Sequence, residues 1–178
     1  MQRGEPASTR SLWGLLRPGL KIVFCGTAAG TMSARRGHYY AHPQNKFWPT
    51  LHAIGLTPDR PFKPEEFSRL TDLGIGLTDI AKTVSGMDKE LPPGSLGRLA
   101  REALRQRMLT HQPAILAFTS LTAGRRFLGP AADFGEQSAT IGATRLWILP
   151  SSSPAANWNW RAHEHWWRAV AEEALRAG

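Results

Sequence analysis

KIVFCGTAAGTMSARRGHYYAHPQNKFW, residues 21–48, decides how the rest of the chain is read. Ile22 to Cys25 is an unbroken apolar run that stops at Gly26. A parallel strand covered by helices on both faces reads this way, because neither face is left to water. The turn that follows, GTAAG at 26–30, is bracketed by glycines, and a basic polar loop comes next. Pro43 then opens an aromatic segment. Proline suits a first helical turn, where its missing N–H would have no partner anyway. Phe47, Leu51 and Ile54 recur at helical spacing, so a helix is predicted from Pro43 to about Ile54. This order places a backbone pocket at the carboxyl end of a strand, beside positive charge. Ala28 and Ala29, in the middle of the turn, bring no polar group to it.

Outward from this stretch, three more segments read as strands: Leu73–Ile80 (LGIGLTDI), Ala114–Phe118 and Arg145–Leu149. Residues 57–66 hold three prolines and read as a connecting loop, as does 84–95 with its glycines and prolines. Ser95 is placed to cap a helix running to about Thr110. A second helix follows Thr119-Ser120 to about Leu128, and the last runs from about Arg161 to Ala177, with Trp166 and Val170 as its packing stripe. Strands alternating with helices predict an α/β fold: a three-layer α/β/α sandwich around a mostly parallel, four-stranded central sheet. Residues 1–10 read as a flexible arm, and 11–178 as one domain. Ligands of such sheets bind beyond the carboxyl ends of the strands. GTAAG, Thr78-Asp79, Thr119-Ser120 and PSSSPAANW follow the four strands and are expected to converge there.

Composition narrows the partner. The 178 residues carry a formal net charge of +8. A domain this basic suits a polyanion, nucleic acid being the commonest. Cys25 is the one cysteine, which excludes an internal disulfide and a four-cysteine cluster; it reads as a small core residue. His163 and His165 stand two apart and do not share a helix face, so no zinc site is expected there. No apolar run approaches the roughly 20 residues that span a bilayer, and the N-terminus does not read as a signal peptide, so a cytoplasmic protein is expected. Arg98, Arg101 and Arg105 share one helix face, which reads as solvated.

KIVFCGTAAGTMSA resembles the first motif of the uracil-DNA glycosylase superfamily. It most resembles the mismatch-specific uracil/thymine branch, where a VVFCGINPG-like strand and turn appear. GHYYAHPQNKFW is similar to that branch's next loop and helix start, LGIGLTDI to its middle strand, and LPSSSPAAN to its second motif. The likeness runs from about Leu16 to about Trp160. It implies a monofunctional DNA glycosylase with no metal or cofactor, most simply monomeric. Its substrate would be uracil-containing DNA and its product free uracil. Hypoxanthine is the alternative base, and a non-catalytic binder of damaged or single-stranded DNA is the alternative function.

The resemblance also assigns residues. Gly26, Thr27, Ala28 and Ala29 would shape the base pocket, and Tyr40 would stack on the flipped base. The third residue of the family's turn is polar and positions water; here it is Ala28. Loss of a general base costs on the order of 10²–10⁴ in rate. Three candidates could take the work. Asp79 could accept an N–H of the base or activate water, or merely cap a turn. Asn45 corresponds to the asparagine of a hypoxanthine-excising branch, or bonds the loop backbone. His42 could act as a base near neutral pH, or cap the helix. Arg35, Arg36, Lys46, Thr119 and Ser120 would meet DNA, together with the second-motif segment Ser151, Ser152, Ser153, Pro154, Ala155, Ala156 and Asn157. Residues 154–157 are small for a wedge into the vacated stack.

Overall fold

The computed structural model describes residues 14–82, 91 and 93–178. The arm expected at 1–10 and most of the loop expected at 84–95 lie outside them. Five strands form one sheet: β1 (Ile22–Gly26), β2 (Ile75–Asp79), β3 (Ile115–Phe118), β4 (Gly135–Ile141) and β5 (Thr144–Ile148). Their order is β2-β1-β3-β5-β4. The first three and β5 run parallel, and β4 is antiparallel to β5. The sheet thus has one strand more than the four expected. The extra strand, GEQSATI, sits at the edge and is mostly exposed, so it lacks the apolar run that marks the others.

The parallel strands show that run because helices cover both faces. Ile22, Phe24, Ile75, Leu77, Ile115 and Ala117 face α2 (Phe47–Ala53), a 3₁₀ helix (Pro64–Leu73) and α5 (Trp160–Arg176). Val23, Cys25, Leu116 and Phe118 face α3 (Arg98–His111) and α4 (Leu121–Leu128). Cys25 is buried there, as expected. Gly124 lets α4 sit close to the sheet, since a Cβ there would run into the Ile148 side chain. Phe24 packs edge-on against Phe47 at 5.4 Å and stacks on Trp167 at 5.6 Å. Trp167, not its neighbour Trp166, is the fully buried ring of α5, alongside Val170, Ala171 and Ala174. Its indole N–H donates to the Pro150 carbonyl at 3.0 Å, tying α5 to the end of β5.

Several boundaries differ from expectation for local reasons. The helix expected at Pro43 starts at Phe47, because residues 42–45 close a turn on His42 instead. The basic loop after GTAAG contains a short helix, α1 (Thr31–Arg36). Gly97, not Ser95, stands at the start of α3. The proline loop ends in the 3₁₀ helix, whose charged sequence PEEFSRLTDL hides Leu70 beneath. Ser120 does cap α4: its hydroxyl accepts the Ala123 N–H at 3.0 Å. Arg105 lies over the Phe127 ring at 5.2 Å, and Arg101 donates to the Arg126 carbonyl at 3.4 Å, so the arginine face expected to be solvated packs partly on α4.

Trp167→Ala should cost about 3–5 kcal/mol, the usual range for emptying a large aromatic site. Thermal and urea unfolding followed by circular dichroism measure the loss.

Candidate functional site

The chain leaves β1 toward β2 on one side of the sheet and leaves β3 toward β5 on the other. The carboxyl ends of β1 and β3 therefore flank the crevice where the connections diverge, the place such sheets bind ligands. In register, Gly26 lies beside Asp79 on β2, and Cys25 beside Phe118 on β3. The ladder continues past the strands. Ile80 and Ala81 donate to the Gly26 and Thr27 carbonyls at 2.9 and 2.8 Å, and Thr119 donates to the Cys25 carbonyl at 2.9 Å. The GTAAG turn is thereby held by backbone on both sides. Thr27 and Ala29 are buried, and Ala28 is half-buried.

Gly26 is the hub. A Cβ at this position would lie 2.8 Å from Asp79 Oδ1, 3.7 Å from Thr119 Oγ1 and 4.0 Å from the Ala28 carbonyl oxygen. The Asp79 carboxylate thus lies across the space a side chain would fill, at the mouth of the turn whose middle side chains, Ala28 and Ala29, are methyl groups. Tyr40 joins from the loop ahead of α2. Its hydroxyl is 3.2 Å from Thr119 Oγ1, and its ring stacks on Phe47 at 3.8 Å with 17° between planes. Its φ of 51° is in the left-handed region, costly for a tyrosine and held by these two contacts.

Asp79 is buried, with only 4% of its surface exposed. Burial pushes its carboxyl above the usual range; Lys82 and then Arg107 pull it back. Lys82 Nζ is 3.6 Å from Asp79 Oδ2 and donates to the Tyr39 hydroxyl at 3.1 Å. Burial lowers the Lys82 ammonium while Asp79 raises it. Arg107 Nη2, from α3, donates to the Asp79 main-chain carbonyl at 2.7 Å. Burial and the Asp79 charge push up the Tyr39 and Tyr40 phenols and the Cys25 thiol, so all three stay neutral at physiological pH.

The other expected residues have local partners. Asn45 Oδ1 accepts the Phe47 N–H at 2.9 Å, at the start of α2. His42 Nδ1 accepts the Gln44 N–H at 3.1 Å. Lys46 is exposed; its N–H donates to the Ser152 carbonyl at 2.9 Å and ties α2 to the PSSSP segment. Ser151 Oγ accepts the Ser153 N–H at 3.1 Å, and Ser152 is buried. Pro154, Ala155, Ala156 and Asn157 begin the 3₁₀ helix Pro154–Asn159. Arg35 and Arg36 are exposed in the last turn of α1. Thr119 sits in the pocket with Tyr40, and Ser120 serves α4. Sequence reading missed Lys82, Arg107 and Tyr39 as parts of the site. The spacing of Asp79 and Lys82, three apart, was the one available signal.

Among the described residues, no three His, Cys, Asp or Glu side chains gather as a metal site would need, and no helix is long and apolar enough to cross a membrane. A family model described as the Uracil DNA glycosylase superfamily matches residues 13–176. Among solved structures, the fold is similar to the solution NMR structure of a provisionally named uracil DNA glycosylase from Methanosarcina acetivorans. That match has 23% sequence identity and a TM-score of 0.59, and covers 94% of this chain and 98% of the other.

Gly26→Ala should destabilise the fold by about 1–3 kcal/mol, the usual cost of forcing a methyl into filled space. In an Asp79→Ala background the same change should cost less, because the obstructing carboxylate is gone. A double-mutant cycle by urea unfolding reads the coupling; strict additivity would contradict the contact.

Proposed function

The chain belongs to the uracil DNA glycosylase superfamily, whose model spans nearly all of it, and on that footing we propose that it excises uracil from DNA by hydrolysing the N-glycosidic bond. The order of its motifs supports the mismatch-specific uracil/thymine branch. The observation that carries the mechanism is the Asp79 carboxylate lying across Gly26, beside the turn that lacks its polar residue.

Such an enzyme works on a nucleotide turned out of the stack, at a cost of a few kcal/mol that is least for a mispaired or unpaired base. As the glycosidic bond breaks, the sugar becomes oxocarbenium-like and the base gains negative charge. A carboxylate near the sugar stabilises the first and takes a proton from the attacking water. Asp79 is the one carboxylate of the described pocket. Its raised pKa makes it a better proton acceptor than an exposed aspartate, provided it is ionised. Water gives its proton to Asp79 and its oxygen to C1′ of the sugar, while the bonding pair leaves with the base. Tyr40 is the outer ring of the stack built on Phe47 and offers its other face to the base. The exposed basic residues Arg35, Arg36 and Lys46 meet phosphates, with the PSSSP segment tied to Lys46 beside them.

His42 and Asn45 serve the turn and the helix start in this mechanism. Asn45→Ala should cost about 0.5–1.5 kcal/mol of stability, as loss of one side-chain hydrogen bond does, and leave single-turnover excision near wild type. Asp79→Asn should retain DNA binding and lose about 10²–10⁴ in single-turnover rate on a uracil-containing oligonucleotide, read by alkaline cleavage of the abasic product. Tyr40→Ala should weaken the flipped complex by about 1–3 kcal/mol. The sign of the pH dependence follows from the ionised form being active: excision rises with pH through the Asp79 pKa, which burial sets above the ordinary carboxylate range. Retained DNA binding with no excision of uracil, hypoxanthine or xanthine by the wild type would instead identify a non-catalytic binder of damaged DNA.

A further inference from the structure

Lys82 lies behind the pocket rather than in it. The two oxygens of Asp79 have different neighbours: Oδ1 lies over Gly26 in the crevice, and Oδ2 lies 3.6 Å from Lys82 Nζ. The ammonium is also close to Gly14, whose neighbour Leu15 bridges to Leu77 along the outer edge of β2. It therefore approaches Asp79 from the edge of the sheet, away from the β1–β3 crevice. Tyr39 fixes its position twice, by accepting a hydrogen bond at 3.1 Å and by presenting its ring face at 5.7 Å. Tyr39 is itself buried and its backbone carbonyl accepts the Trp48 indole N–H at 3.1 Å.

We propose that Lys82 is a positioning residue: held by Tyr39 at the outer edge of β2, it keeps Asp79 anionic and oriented, so that excision depends on an ion pair whose cation never touches DNA. The inference rests on the reading of Asp79 as the proton acceptor. A carboxyl taken out of water without a partner takes up a proton instead of staying charged. A protonated Asp79 cannot accept a proton from water.

Among the described residues, the groups facing Asp79 are few. Cys25 comes from β1, Tyr39 and Tyr40 from the loop before α2, Arg107 from α3, and Lys82 from the segment just after β2. The thiol and phenols are neutral at physiological pH. Of the two cations, Arg107 is committed to the Asp79 main-chain oxygen, and Lys82 has the larger influence on the carboxyl. Removing Lys82 removes a lowering influence, so the Asp79 pKa moves further up. The acid limb of excision then moves to higher pH.

The test is single-turnover excision from a uracil-containing oligonucleotide from about pH 5.5 to about pH 9.5, for the wild type, Lys82→Met, Lys82→Arg and Asp79→Asn. A limb displaced by about one pH unit reads as a roughly tenfold loss on its acid side. Lys82→Met should show such a loss at acid pH, closing toward the wild-type rate at alkaline pH. Lys82→Arg, which keeps the charge, should restore the wild-type profile. A Lys82→Met profile that is unmoved, or lowered equally at every pH, overturns the inference. Near-ultraviolet circular dichroism checks folding, and Lys82→Gln makes the same comparison if the methionine variant does not fold. Titration of ¹³C-labelled aspartate carboxyls gives a readout without DNA: the Asp79 midpoint should rise in the neutral variants, and an unchanged midpoint overturns the role. If Asp79→Asn excises as fast as the wild type, the reading of Asp79 fails. If Asp79→Asn is inactive and the Lys82→Met profile stays put, only Lys82 loses its part.

Discussion

The site depends on one carboxylate taken out of water at the carboxyl edge of a parallel sheet. Removing a charge from water costs several kcal/mol even after the surroundings relax. Three features of the fold offset that cost around Asp79. Gly26 supplies the room, because any side chain there would occupy the same space. Lys82 supplies the opposite charge, and Arg107 anchors the backbone that carries the group. Gly26 and Arg107 come from distant parts of the chain, whereas Lys82 stands three residues on from Asp79. The pairing that sets Gly26 beside Asp79 is part of what keeps the carboxylate out of solvent.

A second constraint runs from the core outward. Trp167 stacks on Phe24, Phe24 meets Phe47 edge-on, and Phe47 stacks on Tyr40. Only the last ring is partly exposed. This chain of rings ties the position of Tyr40 to the packing of α5 against the sheet, and it supports a backbone conformation a tyrosine rarely adopts. A planar base laid on Tyr40 would extend a stack that already exists, with little ordering left to do. Trp167 also holds the Pro150 carbonyl, so the same ring positions the start of the PSSSP segment.

What was legible in the sequence follows from which signals are local. The strands β1, β2, β3 and β5 are buried on both faces, so their apolar runs announce them; β4 is an exposed edge strand, and GEQSATI gives no such sign. The convergence of GTAAG, Asp79 and Thr119 was legible because it follows from sheet topology alone. The start of α2 was not, since Pro43 suits a helix and only the turn on His42 defers it to Phe47. Arg107 and Tyr39 reach the site across 28 and 43 residues of chain, through side-chain contacts that no spacing encodes.

The alanine at position 28 then becomes intelligible as geometry. Side chains of a strand alternate between faces, so a slip of one residue in the β1–β2 register would set Thr78 or Ile80 opposite Gly26 and turn the carboxylate away. The pairing is pinned by the hydrogen bonds that Ile80 and Ala81 give to Gly26 and Thr27, beyond the strands themselves. Of the turn beyond Thr27, only the Ala28 carbonyl oxygen comes within 4.0 Å of the point above Gly26 that Asp79 Oδ1 crowds. The methyl groups at 28 and 29 bring no polar atom to the turn. Asp79 is held by the pairing of β2 with β1 and by the hydrogen bond that Arg107 gives to its main-chain oxygen. The carboxylate is thus fixed through its strand, with the Lys82 ammonium 3.6 Å behind it.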